Sequence, residues 1–186
     1  VSVRACALAT HGQGFVPDAV VLNASVRLED TGEDFNFERA REMMDTNVLG
    51  AMRCIDVFLP IFRKRGSGDM ILIASTSALR PSAKAASYAA SKAGAAMFLR
   101  SLRLRYEGEG LRFKIVYLGP IETTMWEGKK SLLVPTVRRA AVRIAEFLSE
   151  SADTLYYPWL STVLLRLSMI LPDRFFSFMS AKVLHV

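Results

Sequence analysis

A short, continuous apolar run, residues 69–75 (DMILIAS), and a second strand-like run, residues 112–118 (RFKIVYL), bracket a stretch of helical periodicity, and they constrain this 186-residue chain most. A strand that is apolar at nearly every position is buried on both faces. A parallel sheet covered by helices on both sides provides that burial, whereas a half-exposed antiparallel sheet reads as alternation. The rest of the chain repeats the pattern. Residues 1–9 and 20–24 (VVLNA) read as strands. Residues 37–65 read as a long helix carrying Met43, Met44, Val48, Met52, Ile55, Phe58, Leu59 and Phe62 at helical spacing, closed by Gly66, Ser67 and Gly68. Residues 87–108 and 135–149 read as further helices, and Gly119 and Pro120 break the strand before them. The expected class is α/β with a doubly wound parallel sheet.

The last stretch differs. From Leu155 onward apolar and aromatic residues dominate, and Pro158 and Pro172 each suit the first turn of a helix. Arg166 and Pro172 interrupt the run, so no unbroken segment reaches the roughly 20 residues that span a bilayer. The chain therefore divides into residues 1–154, a partial catalytic domain, and residues 155–186, an apolar helical extension of the same domain. That extension is expected to close over the core or a substrate pocket, or to make peripheral contact with a membrane interface.

Charge narrows the function classes. Lys and Arg number 24 against 18 Asp and Glu, a formal charge of +6. The excess is spread over the polar sides of helical patterns instead of forming a basic stripe interleaved with aromatics, which argues against nucleic acid as a partner. Cys6 and Cys54 are isolated, and His11 and His185 lie near opposite ends. A metal site and a disulfide scaffold both lack their residues, and a reducing, cytoplasmic setting is expected. The chain opens at Val1 inside an apolar run with no signal-peptide pattern, which reads as a fragment of a longer protein.

The chemistry centres on Tyr88 and Lys92, four apart near a helix start and so on one face, a turn apart. A free phenol has a pKa near 10; a neighbouring ammonium is expected to lower it, making a pair able to exchange a proton with an alcohol or carbonyl oxygen. Ser75 ends the apolar strand at the edge where open α/β sheets place their ligands, and its hydroxyl can orient a substrate oxygen towards Tyr88. Thr76 and Ser77 are weaker substitutes, and Ser87 and Ser91 read as helix-start and packing positions.

These residues, with others in the same order, resemble the short-chain dehydrogenase/reductase family, in its common single-domain type with Tyr-x-x-x-Lys. Asn23-Ala24-Ser25 is similar to the family's Asn-Ala-Gly turn, with Ser25 in place of the glycine. Asn47-Val48-Leu49-Gly50 is similar to the helix motif whose asparagine completes the catalytic tetrad. Ser75 and Tyr88-Ala89-Ala90-Ser91-Lys92 match the active-site serine and the Tyr-x-x-x-Lys pair, and residues 119–123 (GPIET) resemble the segment that cradles the nicotinamide carboxamide.

The resemblance implies a Rossmann-like fold and an NAD(P)-dependent oxidoreductase interconverting a carbonyl and a secondary alcohol. Tyr88 is then the general acid or base, Lys92 its pKa modulator and ribose ligand, and Ser75 the holder of the substrate oxygen. Asn47 distorts its helix and holds a water in a proton relay, in preference to merely bonding a neighbouring carbonyl. Cofactor contacts fall to Asn23, Ala24, Tyr88, Lys92, Gly119, Ile121 and Thr123. A homodimer or homotetramer is implied, and the apolar tail suggests a lipophilic substrate and lipid metabolism.

The phosphate grip is missing from this pattern. The family's glycine-rich turn lies well before the Asn-Ala-Gly motif, and Gly12-Gln13-Gly14 is better read as a loop, because Pro17 follows and no strand–turn–helix surrounds it. The expected chain thus lacks the N-terminal strands, the glycine-rich turn and the residue that selects the cofactor, with NADP favoured over NAD. The alternative reading is a truncated, inactive fragment acting as an interaction module.

Overall fold

The computed structural model describes residues 3–5, 7, 14–28, 35–82, 84–123, 134–174 and 176. Four parallel strands form one sheet in sequence order: β1 (Ala19–Leu22), β2 (Gly68–Ser75), β3 (Leu111–Leu118) and β4 (Thr154–Tyr157). The helices between them are α1 (Phe37–Met44), continued through a π segment (Asp45–Leu49) into α2 (Gly50–Arg65), then α3 (Ala86–Arg105), α4 (Val137–Ser149) and α5 (Trp159–Ser168).

The apolar runs behave as a two-sided sheet requires. Met70, Leu72 and Ala74 of β2 join Phe113, Ile115 and Tyr117 of β3 on one face, under Ile55 and Phe62 of α2 and Ala95, Ala96 and Leu99 of α3. Ile71 and Val116 point to the other face, where Phe147 of α4 and Leu155 of β4 cover them. Helices on both faces explain why neither strand alternates. The first register pair of charges, Asp69 opposite Arg112, holds the start of the ladder through an Arg112 Nε bond of 2.7 Å. Gly66 closes α2 in the left-handed conformation, φ 74°, a backbone that glycine adopts without a Cβ penalty.

Two expectations change. Residues 3–5 and 7 are helical, whereas residues 1–9 read as a strand; Ala5 and Ala7 are strong helix formers. The rest of that run, and Gly12 and Gln13, lie outside the described residues. The tail also begins as strand, not helix: Thr154–Tyr157 continues the sheet, with Tyr156 stacked on its register partner Tyr117 at 5.0 Å between ring centres. Helix α5 follows with Pro158 as its N-cap. No helix of the described residues is long and apolar enough to cross a membrane.

Candidate active site

The strands deliver their last residues to a common edge. Ser75 lies opposite Leu118, and Leu118 opposite Tyr157, so the chain leaves β1, β2 and β3 at Asn23, Thr76 and Gly119 on the carboxyl side of the sheet. Ser75 ends β2 extended (φ −132°, ψ 153°) and caps the short turn Thr76–Ala78. Its Oγ accepts the Ser77 N–H at 3.1 Å and donates to Ser77 Oγ at 3.2 Å.

Helix α3 brings Tyr88 and Lys92 over this edge. Lys92 is buried, its Nζ donates to the Ile73 carbonyl at 3.0 Å, and it lies 5.8 Å from the centre of the Tyr88 ring. Burial alone lowers its pKa from 10.5 to about 8. For Tyr88, burial raises the pKa, opposed in turn by the Ser75 hydroxyl, the Arg27 guanidinium and the Ser25 hydroxyl. The Arg27 guanidinium carbon stands 6.0 Å from the ring centre. The Lys92 ammonium is turned to the Ile73 carbonyl, and desolvation is the largest influence on the phenol. The phenol therefore keeps its proton through neutral pH.

Asn47 is buried in the π segment, where the Gly50 N–H reaches back five residues to the Asp45 carbonyl. Its Nδ2 donates to the Val26 carbonyl and to Ser91 Oγ, each at 2.9 Å, and its Oδ1 accepts the Val26 N–H at 2.8 Å. Ser91 Oγ in turn donates to the Tyr88 carbonyl at 2.8 Å. Both amide protons are used, so the side chain is a strut fixing the loop after β1 to the turn of α3 that carries Tyr88.

The remaining predicted positions frame the edge. Asn23 and Ala24 are exposed just past β1, where the Asn23 N–H donates to the Val21 carbonyl at 3.1 Å. The Gly119 N–H donates to the Tyr157 carbonyl at 2.8 Å, with Pro158 against its α-carbon, which leaves little room for a side chain. Ile121 is buried, Glu122 bridges to Thr136, and Thr123 is exposed at the last described position before residue 134. Sequence reasoning missed Ser25, Arg27 and the linking role of Ser91. The one available signal was the departure of Ser25 from the glycine of its motif. Among the described residues no three His, Cys, Asp or Glu side chains are grouped as a metal ion would require.

Relatives give this geometry a context. An uncharacterized oxidoreductase from Myxococcus xanthus is 29% identical over 161 residues, covering 86% of this chain and 64% of its own length. Human retinol dehydrogenase 8 is 31% identical over 156 residues, covering 84% of this chain and 46% of its own length. The chain thus spans less than two thirds of either relative. A short chain dehydrogenase from Burkholderia cenocepacia, solved in complex with NADP, superposes with a TM-score of 0.79 at 22% identity, over 97% of this chain and 76% of that one, which establishes the shared fold. Residues 13–132 match the short chain dehydrogenase family itself, and with them the chain belongs to the short-chain dehydrogenase/reductase family.

Proposed function

We propose that this chain carries the proton-transfer centre of an NAD(P)-dependent oxidoreductase that interconverts a carbonyl and a secondary alcohol. The observation that carries the reading is the Tyr88 phenol at the sheet edge, with the buried Lys92 ammonium 5.8 Å from its ring centre. The cofactor's nicotinamide, when bound, supplies or accepts the hydride. In reduction, Tyr88 Oη gives its proton to the carbonyl oxygen, and the resulting phenolate is rescued by the neighbouring hydroxyls and by a proton returned from Lys92 or solvent. In oxidation the same atom takes the hydroxyl proton. Ser75 orients the substrate oxygen, and Asn47 acts through Ser91 to hold Tyr88 in place.

The donor set suits a nicotinamide riboside. Lys92 is a buried ammonium with one carbonyl bond among the described residues. Asn23, Ala24, Gly119, Ile121 and Thr123 line the same sheet edge and are the groups assigned to hold that half of the cofactor. The NADP-bound Burkholderia relative supports a nicotinamide cofactor, with NADP favoured. A lipophilic substrate is supported by the retinol dehydrogenase relative and by Trp159, Leu160, Leu167 and Ile170, which stand exposed along α5 and just beyond it. The same side chains suit peripheral membrane contact, and exposed Leu49, Met97 and Leu104 offer a face for self-association.

The test is Tyr88→Phe in the natural full-length protein, assayed by NADPH oxidation with a panel of aliphatic and retinoid ketones and aldehydes. Turnover is expected to fall by at least about a hundredfold, the scale of general acid catalysis, while NADPH affinity is retained. Undiminished turnover refutes Tyr88 as the proton donor.

A further inference from the structure

Of the two hydroxyls beside the Tyr88 phenol, one is already engaged. Ser75 donates to Ser77 Oγ and accepts from the Ser77 N–H. Ser25 is different: its Oγ is fully buried and lies in hydrogen-bond geometry with no group of the described residues. Such orphaned hydroxyls are rare in folded proteins, because burying one without a partner costs stability. Its place is also firmly set. The next residue, Val26, has both its N–H and its carbonyl bonded by the Asn47 side chain, and the residue after that, Arg27, places its guanidinium over the Tyr88 ring. The three-residue segment is thus fastened beside the phenol, and Ser25 Oγ is its buried side-chain oxygen without a hydrogen-bond partner.

We propose that Ser25 is a catalytic residue of this site: its hydroxyl donates to the Tyr88 oxygen once the phenol has given up its proton, sharing the phenolate charge that Ser75 alone cannot hold. The proposal rests on Tyr88 being the proton donor, as argued above. It explains why a serine stands where the motif has a glycine, since glycine offers no such donor. It also explains the orphan. A donor is left unpaired in the ground state and paired in the charged state, which is where binding energy accelerates a reaction. No bond other than the O–H···O contact forms, and the proton stays on Ser25.

The test replaces Tyr88 with difluorotyrosine, whose lower pKa keeps the titration within the range where the fold survives, and follows it by fluorine NMR in Ser25, Ser25→Ala, Ser25→Gly and Ser25→Thr backgrounds. The alanine and glycine variants are expected to raise the titration midpoint by about one unit, the scale of one hydrogen bond to a charged oxygen, and the threonine variant to restore it. In the unlabelled enzyme the acidic limb of the pH profile for alcohol oxidation, where turnover rises as Tyr88 loses its proton, moves the same way, with NADP affinity unchanged. A midpoint unmoved in both Ser25→Ala and Ser25→Gly overturns the proposal. Retained turnover in Tyr88→Phe would instead overturn the reading beneath it, so the two failures are told apart.

Discussion

Lys92 should be a destabilising residue, and replacing it should make the protein more stable while abolishing its chemistry. Burial lowers the lysine's pKa from 10.5 to about 8. The ammonium is therefore harder to hold in the folded chain than in the unfolded one, by about 3 kcal/mol at the conversion of about 1.4 kcal/mol per unit. The Nζ bond to the Ile73 carbonyl returns about 1 kcal/mol that a substitution forfeits. Methionine fills a similar volume with a flexible apolar chain. Lys92→Met should thus gain about 2 kcal/mol near neutral pH. The sign with pH follows from linkage. Below about pH 8 both states carry the proton and the cost is full; between about pH 8 and 10.5 the unfolded chain holds a proton that the folded one has lost, so wild-type stability rises with pH; above that range the cost is gone. Urea unfolding of wild type and variant at about pH 7 and about pH 10 should show a gap at the lower pH that closes at the higher. A variant less stable than wild type near neutrality, or a gap that persists at the higher pH, would refute the reasoning.

Asn47→Ala removes the three hydrogen bonds that tie Val26 and Ser91 together, and unfolding free energy should fall by about 2–4 kcal/mol, read from urea midpoints; a loss under about 0.5 kcal/mol would mean the strut is slack. Arg80 is nearly buried, donates to the Leu171 carbonyl at 3.2 and 3.3 Å, pairs with Asp173 at 3.1 Å and stacks on the Phe176 ring at 4.2 Å. Arg80→Ala should therefore speed amide exchange after α5, around Leu171 and Asp173, and leave β2 and β3 protected, whereas uniform protection would show that the tail is held elsewhere.

Much of the fold was legible because burial on both faces leaves a signature in the residues themselves. Residues 69–75 and 112–118 became β2 and β3 with one residue added to the front of each. The helix end at Gly66 was legible for a similarly local reason, a left-handed closing glycine. β4 was hidden because four residues are too few to show a period, and the apolar run continues without a break into α5. Ser75, Tyr88 and Lys92 could be picked out by type and order. What could not be read is direction. Nothing in the letters says that Lys92 points to Ile73, that the Asn47 amide spends both protons on Val26 and Ser91, or that Ser25 ends up against the phenol; those are consequences of packing between residues 19 or more positions apart.

The contrast between two buried lysines separates structure from chemistry in this chain. Lys114 is fully buried on β3, yet its Nζ donates to the carbonyls of Phe147 and Glu150, at the end of α4, where the helix dipole favours a cation. Burial lowers its pKa as well, but two carbonyl bonds engage the ammonium locally by closing a helix end. Lys92 has a single carbonyl bond among the described residues, and the orphaned Ser25 hydroxyl neighbours the same phenol. A buried cation short of partners and a buried hydroxyl without one are separate defects in a folded chain, and chance would scatter them. Their convergence on Tyr88, at the carboxyl edge of a parallel sheet, is the pattern expected of a site completed by a ligand oxygen. The stability withheld at Lys92 and Ser25 is thus the resting-state cost of a proton-transfer centre, which is why Lys92→Met is expected to stabilise the fold and a comparable change at Lys114 to weaken it.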